Sequence, residues 1–320
     1  MKLSLVIPCF NEEGNVKKMY NETVRVFDGK VSDYEFVFVD DGSTDGTYSA
    51  LKELYSNQDN AGVQVLSLSR NFGKEAAIFA GMGSAKGDLI CLIDADLQQR
   101  PEIVLQMLEV MNGNDEIDCV TAYQEQRNES KLMCHMKSAF YKIINKASKA
   151  EFKNGASDFR LMKRKVADAI LQMGEYHRFS KGIFGFIGFH NEYIPYTAEQ
   201  RHSGETKWGL RKLFSYALDG LISFTTFPLR LATVLGLMSS VLSVIYIIAV
   251  IIEKLAFGIA VPGYATIIIL LLLLGGLQLF SLGILGEYMS KVYIQVKNRP
   301  IYILREHLEK DNENNQKENL

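Results

Sequence analysis

Two long stretches without a charged residue, both in the carboxyl-terminal third of the chain, restrict its fold most strongly. Leu231–Ile252 and Tyr264–Leu285 are each 22 residues long and contain no Asp, Glu, Lys or Arg. As a helix, either stretch would measure about 33 Å, enough to cross the hydrocarbon core of a bilayer, which is about 30 Å thick. A helix buried inside a soluble protein is the alternative. Two such stretches joined by a short connection instead predict a transmembrane hairpin over residues 228–290.

Lysine and arginine are distributed unevenly around this hairpin. They precede the first stretch and follow the second at Arg211, Lys212, Arg230, Lys291, Lys297, Arg299 and Arg305. The connection contains one, Lys254. Because positive charge is retained on the cytoplasmic side, we expect a multi-pass cell-membrane protein whose amino-terminal domain and both termini are cytoplasmic. Residues 209–227 are amphipathic and are expected to form a helix in the membrane interface. Residues 291–320 are expected to form a cytoplasmic tail.

Residues 1–208 have the pattern of an α/β domain. Apolar runs typical of strands occur at Leu3–Ile7, Phe36–Val39, Val63–Leu68, Leu89–Ile93 and Cys119–Ala122. Segments with helical spacing occur at Asn15–Phe27, Thr44–Tyr55, Lys74–Ala85 and Pro101–Met111. This alternation predicts a Rossmann-like, mostly parallel sheet with helices on both faces. In such sheets, ligands bind beyond the carboxyl ends of the strands.

The composition argues against several other classes of protein. The net charge is −2, so the chain has no general positive field for binding nucleic acid. It also lacks the Gly-x-x-x-x-Gly-Lys-Ser/Thr pattern of a phosphate-binding loop. Its four cysteines form no Cys-x-x-Cys pair, and three of them lie in apolar runs. We therefore expect buried, reduced thiols in a reducing compartment.

Polar clusters follow three of the predicted strands, at Pro8–Glu12, Asp40–Ser43 and Asp94–Gln98. In the last cluster, two carboxylates one residue apart close an apolar strand, an arrangement that is costly unless a cation is present. Mg²⁺ or Mn²⁺, which prefer oxygen ligands, would resolve that cost and could also hold a diphosphate. Taken alone, such a pair can equally be a helix cap or a solvated turn.

Four motifs follow one another along the chain: Val6-Ile7-Pro8-Cys9-Phe10-Asn11-Glu12, Val39-Asp40-Asp41-Gly42-Ser43-Thr44-Asp45-Gly46-Thr47, Arg70-Asn71-Phe72-Gly73-Lys74 and Asp94-Ala95-Asp96-Leu97-Gln98. In this order they resemble the motifs of the family-2 inverting glycosyltransferases of GT-A fold. With the hairpin included, the chain is similar to the polyprenyl-phosphate glycosyltransferases over residues 3 to about 300. The resemblance implies a GT-A catalytic domain at 1–208.

The resemblance also implies roles on the donor side of the site. The expected nucleotide-sugar-binding residues are Pro8, Phe10, Glu12, Val39, Asp41, Lys74, Asp94 and Ala95. The expected metal set is Asp94, Asp96 and Gln98, with Asp96 also counted as catalytic. Two alternatives stay open at this point. The Asp40–Asp41 pair can cap a helix through Ser43 or Thr44, and Lys74 can be a solvated helix charge.

On the acceptor side, the segment Gly155–Arg160 matches a family motif, which implies a catalytic role for Asp158 near the attacking oxygen. A phosphate monoester is already ionised at neutral pH, because its second pKa is about 6, so Asp158 can instead orient the acceptor or an arginine. A purely structural role for Asp158 together with Arg160 is the other alternative. Arg201 and Lys207, together with Arg127, are expected to hold phosphates of the donor or the lipid. Positive-inside topology is the other explanation for the first two.

The expected reaction is inverting transfer of a sugar from a nucleotide sugar, UDP-glucose or UDP-N-acetylglucosamine, to a polyprenyl phosphate such as undecaprenyl phosphate. Expected partners include membrane lipid, a flippase, a downstream acceptor transferase and, by resemblance, further copies in a tetramer. One alternative is a processive polysaccharide synthase, which would carry a Gln-x-x-Arg-Trp motif that this chain lacks. The other is a non-catalytic membrane scaffold, against which the intact carboxylate motifs argue.

Overall fold

A computed structural model describes residues 1–57, 62–124, 156–176, 178, 180–197, 226–257 and 263–310. The chain divides into two compact units. The first contains the amino-terminal part of the chain together with the residues from Pro300 onward, and the second contains the apolar hairpin.

In the described part of the first unit, eight strands form one mixed sheet in the order β7-β5-β6-β4-β1-β2-β3-β8. The strands are β1 Leu3–Cys9, β2 Tyr34–Asp40, β3 Gly62–Leu68, β4 Leu89–Leu92, β5 Cys119–Gln124, β6 Ala156–Lys163, β7 Asn191–Tyr196 and β8 Leu304–Leu308. The central strands β4, β1, β2 and β3 run parallel to one another. Their carboxyl ends therefore meet at one edge, as the sequence pattern predicts.

Helices cover this sheet: α1 Glu13–Phe27, α2 Thr47–Ser56, α3 Lys74–Ser84, α4 Pro101–Gly113, α5 Arg164–Leu171 and α6 Ser180–Phe186. The parallel strands are apolar on both faces because helices pack on both. Leu5, Ile7, Phe36 and Phe38 are fully buried on one side of the sheet and pack in a common core. Phe36 and Phe38 stack with their ring centroids 5.7 Å apart.

One antiparallel strand of the sheet, β6, determines which segments meet beside the pocket. Strand β6 lies between β4 and β5 and runs antiparallel to both. Leu92 pairs with Arg160 in this ladder. Because the strands run in opposite directions, the residues that follow Leu92 lie near the residues that precede Arg160. The register thus brings the segment containing Asp158 beside the segment containing Asp94.

Residues 291–320 were predicted to form a tail, but part of this segment belongs to the sheet. Leu304–Leu308 forms β8 and pairs antiparallel with β3 at the edge of the sheet. The Ser69 amide donates to the Ile303 carbonyl at 2.9 Å, and the Tyr48 hydroxyl donates to the Glu306 carboxylate. Five residues with one apolar side chain at each end give little strand signal. The pairing partner on β3 decides their conformation.

The second unit consists of α7 Phe227–Phe257 and α8 Tyr264–Val296, which pack against each other. Both helices are long and apolar enough to cross a membrane, with mean hydropathies of 2.6 and 2.5. Hydroxyl groups within them, such as Ser240 and Ser281, donate to the carbonyl four residues earlier. In a membrane, such a bond would satisfy a polar side chain that has no water to contact. The predicted hairpin is thus present, with helices longer than the apolar stretches.

Candidate active site

A pocket of about 260 Å³ lies at the carboxyl ends of β1, β2 and β4. Its lining residues are Pro8, Cys9, Phe10, Glu12, Asp41, Asn71, Gly73, Lys74, Ala77, Asp94, Ala95 and Asp96. Phe10 is 44% exposed although it is a large apolar side chain. An aromatic ring exposed beside carboxylates and a lysine suits a ligand that has a flat apolar part and a charged part.

The first wall of the pocket is formed by the loops that follow β1 and β2. Asn11 has φ of +57°, and its side-chain oxygen accepts the Thr44 amide at 2.9 Å. The Glu12 amide donates to the Thr47 hydroxyl at 2.8 Å. Because Thr44 is committed to Asn11, α2 begins at Thr47 and not at Thr44 as the spacing predicted. The two loops therefore hold each other at the strand ends.

Asp40 and Asp41 accept hydrogen bonds from different segments, and the side chain of neither caps α2. Asp40 is buried and accepts the Ser43 amide at 3.1 Å and the Ser67 hydroxyl at 3.1 Å. It therefore holds a turn. It does not cap α2, whose preceding residue is Gly46.

Asp41 holds the second wall of the pocket. Its two carboxylate oxygens accept the Phe72 amide at 2.7 Å and the Gly73 amide at 2.9 Å. Burial raises the pKa of Asp41 above its ordinary value, although these two backbone donors oppose the shift. Gly42 permits this contact: its φ is +64°, and a Cβ there would lie 2.6 Å from the Asn71 nitrogen. The Asp41 carboxylate thus fixes the segment that leads into α3.

The carboxylate pair lies beyond β4. Asp94 and Gln99 form a closed pair, since the Asp94 amide donates to Gln99 Oε1 at 2.9 Å and Gln99 Nε2 donates to Asp94 Oδ2 at 3.1 Å. Asp96 accepts the Gln98 amide at 3.1 Å, across a turn in which Leu97 has φ of +60°. A left-handed leucine is uncommon and strained, so this turn is held by its surroundings.

Lys74, the first residue of α3, joins the two sides of the site. Its Nζ lies 2.6 Å from Asp94 Oδ1 and 3.6 Å from Asp158 Oδ2. Partial burial disfavours the charged amine, but the two carboxylates outweigh that cost and hold the pKa of Lys74 above its ordinary value. The two carboxylates therefore favour the protonated form of the Lys74 amine. The alternative of a merely solvated helix charge does not describe it.

Glu75 follows Lys74 and points to a different neighbour. Its carboxylate accepts the Ser180 amide at 3.2 Å and the Ser180 hydroxyl, at the start of α6. Burial and the nearby charge of Asp158 raise the pKa of Glu75 above its ordinary value. The first turn of α3 thus contacts both β6 and α6.

The structure gathers most of the sequence-predicted residues but not all. Pro8, Phe10, Glu12, Asp41 and Lys74 line the pocket, as do the three residues of the carboxylate motif. Val39 is fully buried within β2 and does not line it. Gln98 and Asp158 lie beside the pocket and not in its lining. Arg127, Arg201 and Lys207 lie outside the described residues, as does most of the predicted interface helix at 209–227.

Sequence reasoning missed five residues of the site. Four of them line the pocket, namely Cys9, Asn71, Gly73 and Ala77, and Gln99 holds Asp94. All except Ala77 belong to the four sequence motifs or adjoin them, so position was a usable signal. The contacts of Asn71 and Gln99 depend on how two loops meet, and no spacing rule gives that.

Comparison with known proteins agrees with this architecture. The family model for Glycosyl transferase family 2 matches residues 4–171, and the model for the GtrB C-terminal hairpin matches residues 227–292. CsbB of Bacillus subtilis strain 168, which carries a glycosyltransferase name, is 42% identical over 305 residues, 95% of this chain and 91% of that protein. The SfII prophage-derived bactoprenol glucosyl transferase of Shigella flexneri is 40% identical over 307 residues, covering 95% and 98%.

Fold and site together define a membrane-associated glycosyltransferase of GT-A fold, an enzyme that transfers a sugar. The chain belongs to glycosyl transferase family 2, and its carboxyl-terminal helices are a GtrB-type hairpin. The resemblance and the fold class that the motifs predicted are therefore confirmed.

Proposed function

We propose that this enzyme transfers glucose from UDP-glucose to undecaprenyl phosphate and inverts the configuration at the anomeric carbon. One observation carries the proposal. A pocket with an exposed aromatic ring and the Asp94–Asp96 pair lies beside a third carboxylate, Asp158, and Lys74 contacts both Asp94 and Asp158. That arrangement can hold a nucleotide diphosphate on one side and admit an acceptor on the other. The names of relatives at about 40% identity favour glucose and bactoprenol.

The donor set fits a divalent cation. Two carboxylates and the Gln98 side-chain oxygen are hard ligands of the kind that Mg²⁺ and Mn²⁺ prefer. Among the described residues, no cluster of three or more His, Cys, Asp or Glu side chains is arranged to hold a metal alone. A site with few protein ligands suits an ion that is also held by water and substrate phosphates. Asp94, Asp96 and Gln98 would hold the ion, which when bound would neutralise charge on the diphosphate.

The reaction forms a bond between a phosphate oxygen of the lipid and the anomeric carbon. The bond from that carbon to the diphosphate oxygen breaks, and its electron pair leaves with the nucleoside diphosphate. Asp158 is proposed to orient the acceptor, because an ionised phosphate needs little deprotonation. Lys74 keeps a positive charge between the two carboxylates. It would reduce the repulsion between Asp158 and two anionic substrates.

Membrane attachment gives the acceptor its location. A polyprenyl tail stays in hydrocarbon, so its phosphate stays at the interface. We propose that the catalytic domain and both termini are cytoplasmic, because Lys254 alone represents positive charge in the connection between the spans. Arg201, Lys207 and Arg127 remain candidates for holding phosphates. A flippase, an acceptor transferase and a homo-oligomer remain predicted partners.

The proposal can be tested with purified protein in detergent. Undecaprenyl phosphate is incubated with Mn²⁺ or Mg²⁺ and, in turn, radiolabelled UDP-glucose, UDP-N-acetylglucosamine and GDP-mannose. We expect label to enter the lipid phase from UDP-glucose. Label from a different donor would contradict the sugar assignment. Label in a water-soluble polymer would favour the polysaccharide synthase, and no label in lipid from any donor would contradict the acceptor class.

A further inference from the structure

A buried arginine lies two residues beyond Asp158 on the same strand. Arg160 is 3% exposed, and its Nε has no hydrogen-bond partner among the described residues. None of the ion pairs found among the described residues involves Arg160. A buried charge without an anionic partner is costly, so something else must hold this side chain in place.

An aromatic ring on α6, that of Phe184, packs against the Arg160 side chain. The Phe184 ring centroid lies 3.4 Å from the Arg160 guanidinium carbon, well within cation–π distance. On its other side, Arg160 Nη2 donates to the Ser157 carbonyl at 3.0 Å. The Ser157 hydroxyl accepts the Phe159 amide at 3.1 Å and donates to the Ala122 carbonyl at 2.9 Å. These bonds fix the backbone on both sides of Asp158.

The position of Phe184 depends in turn on how α6 is docked. Ile183, its neighbour, is buried, and Ser180 at the start of the helix is held by Glu75. Glu75 adjoins Lys74, whose amine contacts Asp158 directly. The first turn of α3 therefore influences the position of Asp158 in two ways. The Lys74 amine contacts Asp158 directly, and Glu75 acts indirectly, through its contact with α6 and the contact of α6 with Arg160.

We propose that Phe184 is a positioning residue for Asp158, acting through Arg160, and that Glu75 keeps α6 docked so that Phe184 can do so. This inference rests on the proposed function, since it assigns Asp158 to the acceptor side. It predicts that a change at Phe184 affects turnover but not donor binding. Disturbing Phe184 should impair turnover and leave the donor pocket intact, because Phe184 and Arg160 do not line that pocket.

The chain offers a matched control on the same helix. Phe186 is 73% exposed and lies two residues further along α6. Phe184→Leu removes the aromatic face and keeps an apolar side chain, Phe184→Tyr keeps the face, and Phe186→Leu makes the same change away from Arg160. Each protein is compared with the wild type by hydrogen exchange of peptides covering residues 156–163, by calorimetric affinity for UDP-glucose and by turnover with the donor that the wild type uses.

In Phe184→Leu we expect exchange around Asp158 to be at least about 5-fold faster, as for a locally loosened segment. Turnover should fall about 10-fold, because small misplacements of catalytic groups are costly. Donor affinity should stay within about 2-fold of wild type. Phe184→Tyr and Phe186→Leu should match the wild type in all three measurements.

Unchanged exchange in Phe184→Leu would overturn the inference whatever the enzyme turns over. Equal losses in Phe186→Leu, or a parallel loss of donor affinity in Phe184→Leu, would also overturn it, because either would indicate general damage to the domain. Failure of the wild type to transfer sugar to lipid would count against the proposed function alone, since the exchange measurement needs no activity.

Discussion

Asp96 is the residue whose loss should be most damaging on the donor side. Replacing it with asparagine removes a hard anionic ligand from the pocket while keeping the size of the side chain. We expect Asp96→Asn to lower turnover by about 100-fold or more, the cost of losing one electrostatic stabiliser, and to weaken Mn²⁺ binding measured by electron paramagnetic resonance. Asp115→Asn, in an exposed turn, is the control. Wild-type Mn²⁺ affinity in Asp96→Asn, or full activity in EDTA, would contradict the metal assignment.

Asp158 should behave differently, because it lies on β6 and outside the lining of the donor pocket. Asp158→Asn should lower turnover by about 100-fold, the lower end of the range for a group that acts on a nucleophile. UDP-glucose affinity, measured by calorimetry, should stay near the wild-type value. Asp168→Asn, exposed on α5, controls for charge removal. If donor affinity falls together with turnover, Asp158 belongs to the donor site.

At the scale of elements, β8 closes the edge of the sheet next to β3. Ending the chain after Arg299 would remove four paired positions of this ladder and the contacts of Glu306 and Glu309 with Tyr48 and Lys86. At about 1 kcal/mol net per hydrogen bond, we expect a loss of roughly 2–4 kcal/mol and a melting temperature lower by about 5 °C or more. Ending the chain after Lys310 keeps β8 and should change neither. Equal melting temperatures for the two truncations would show that β8 does not stabilise the domain.

The sequence was informative wherever chemistry and position coincide. Asp41, Asp94 and Asp96 line one pocket because the parallel strands that precede them end at one edge of the sheet, so their proximity could be predicted from the pattern. The antiparallel placement of β6 could not, since strand direction depends on the connection and not on the strand itself. Lys74 and Asp158 are 84 residues apart in sequence, and their contact follows only from that placement. The sequence of β8 does not identify it as a strand, and only its pairing with β3 does so.

At the scale of the whole molecule, the chain combines a family-2 catalytic domain with a GtrB-type hairpin. The catalytic domain supplies a pocket for an activated sugar, and the hairpin supplies attachment to the membrane in which a polyprenyl acceptor resides. Neither part alone distinguishes a lipid acceptor from a soluble one. Their presence in one chain is the reason that we propose a lipid phosphate as the acceptor.

The most direct test of this claim is mass spectrometry of the lipid product made by the purified enzyme from UDP-glucose and undecaprenyl phosphate with Mn²⁺ or Mg²⁺. We expect one new lipid, heavier than the acceptor by a single hexose joined through the phosphate. The wild type should form it, and Asp96→Asn should form it at least about 100-fold more slowly. Undecaprenyl phosphate recovered unchanged, or lipids carrying several hexoses, would contradict the transfer of a single hexose to a lipid phosphate.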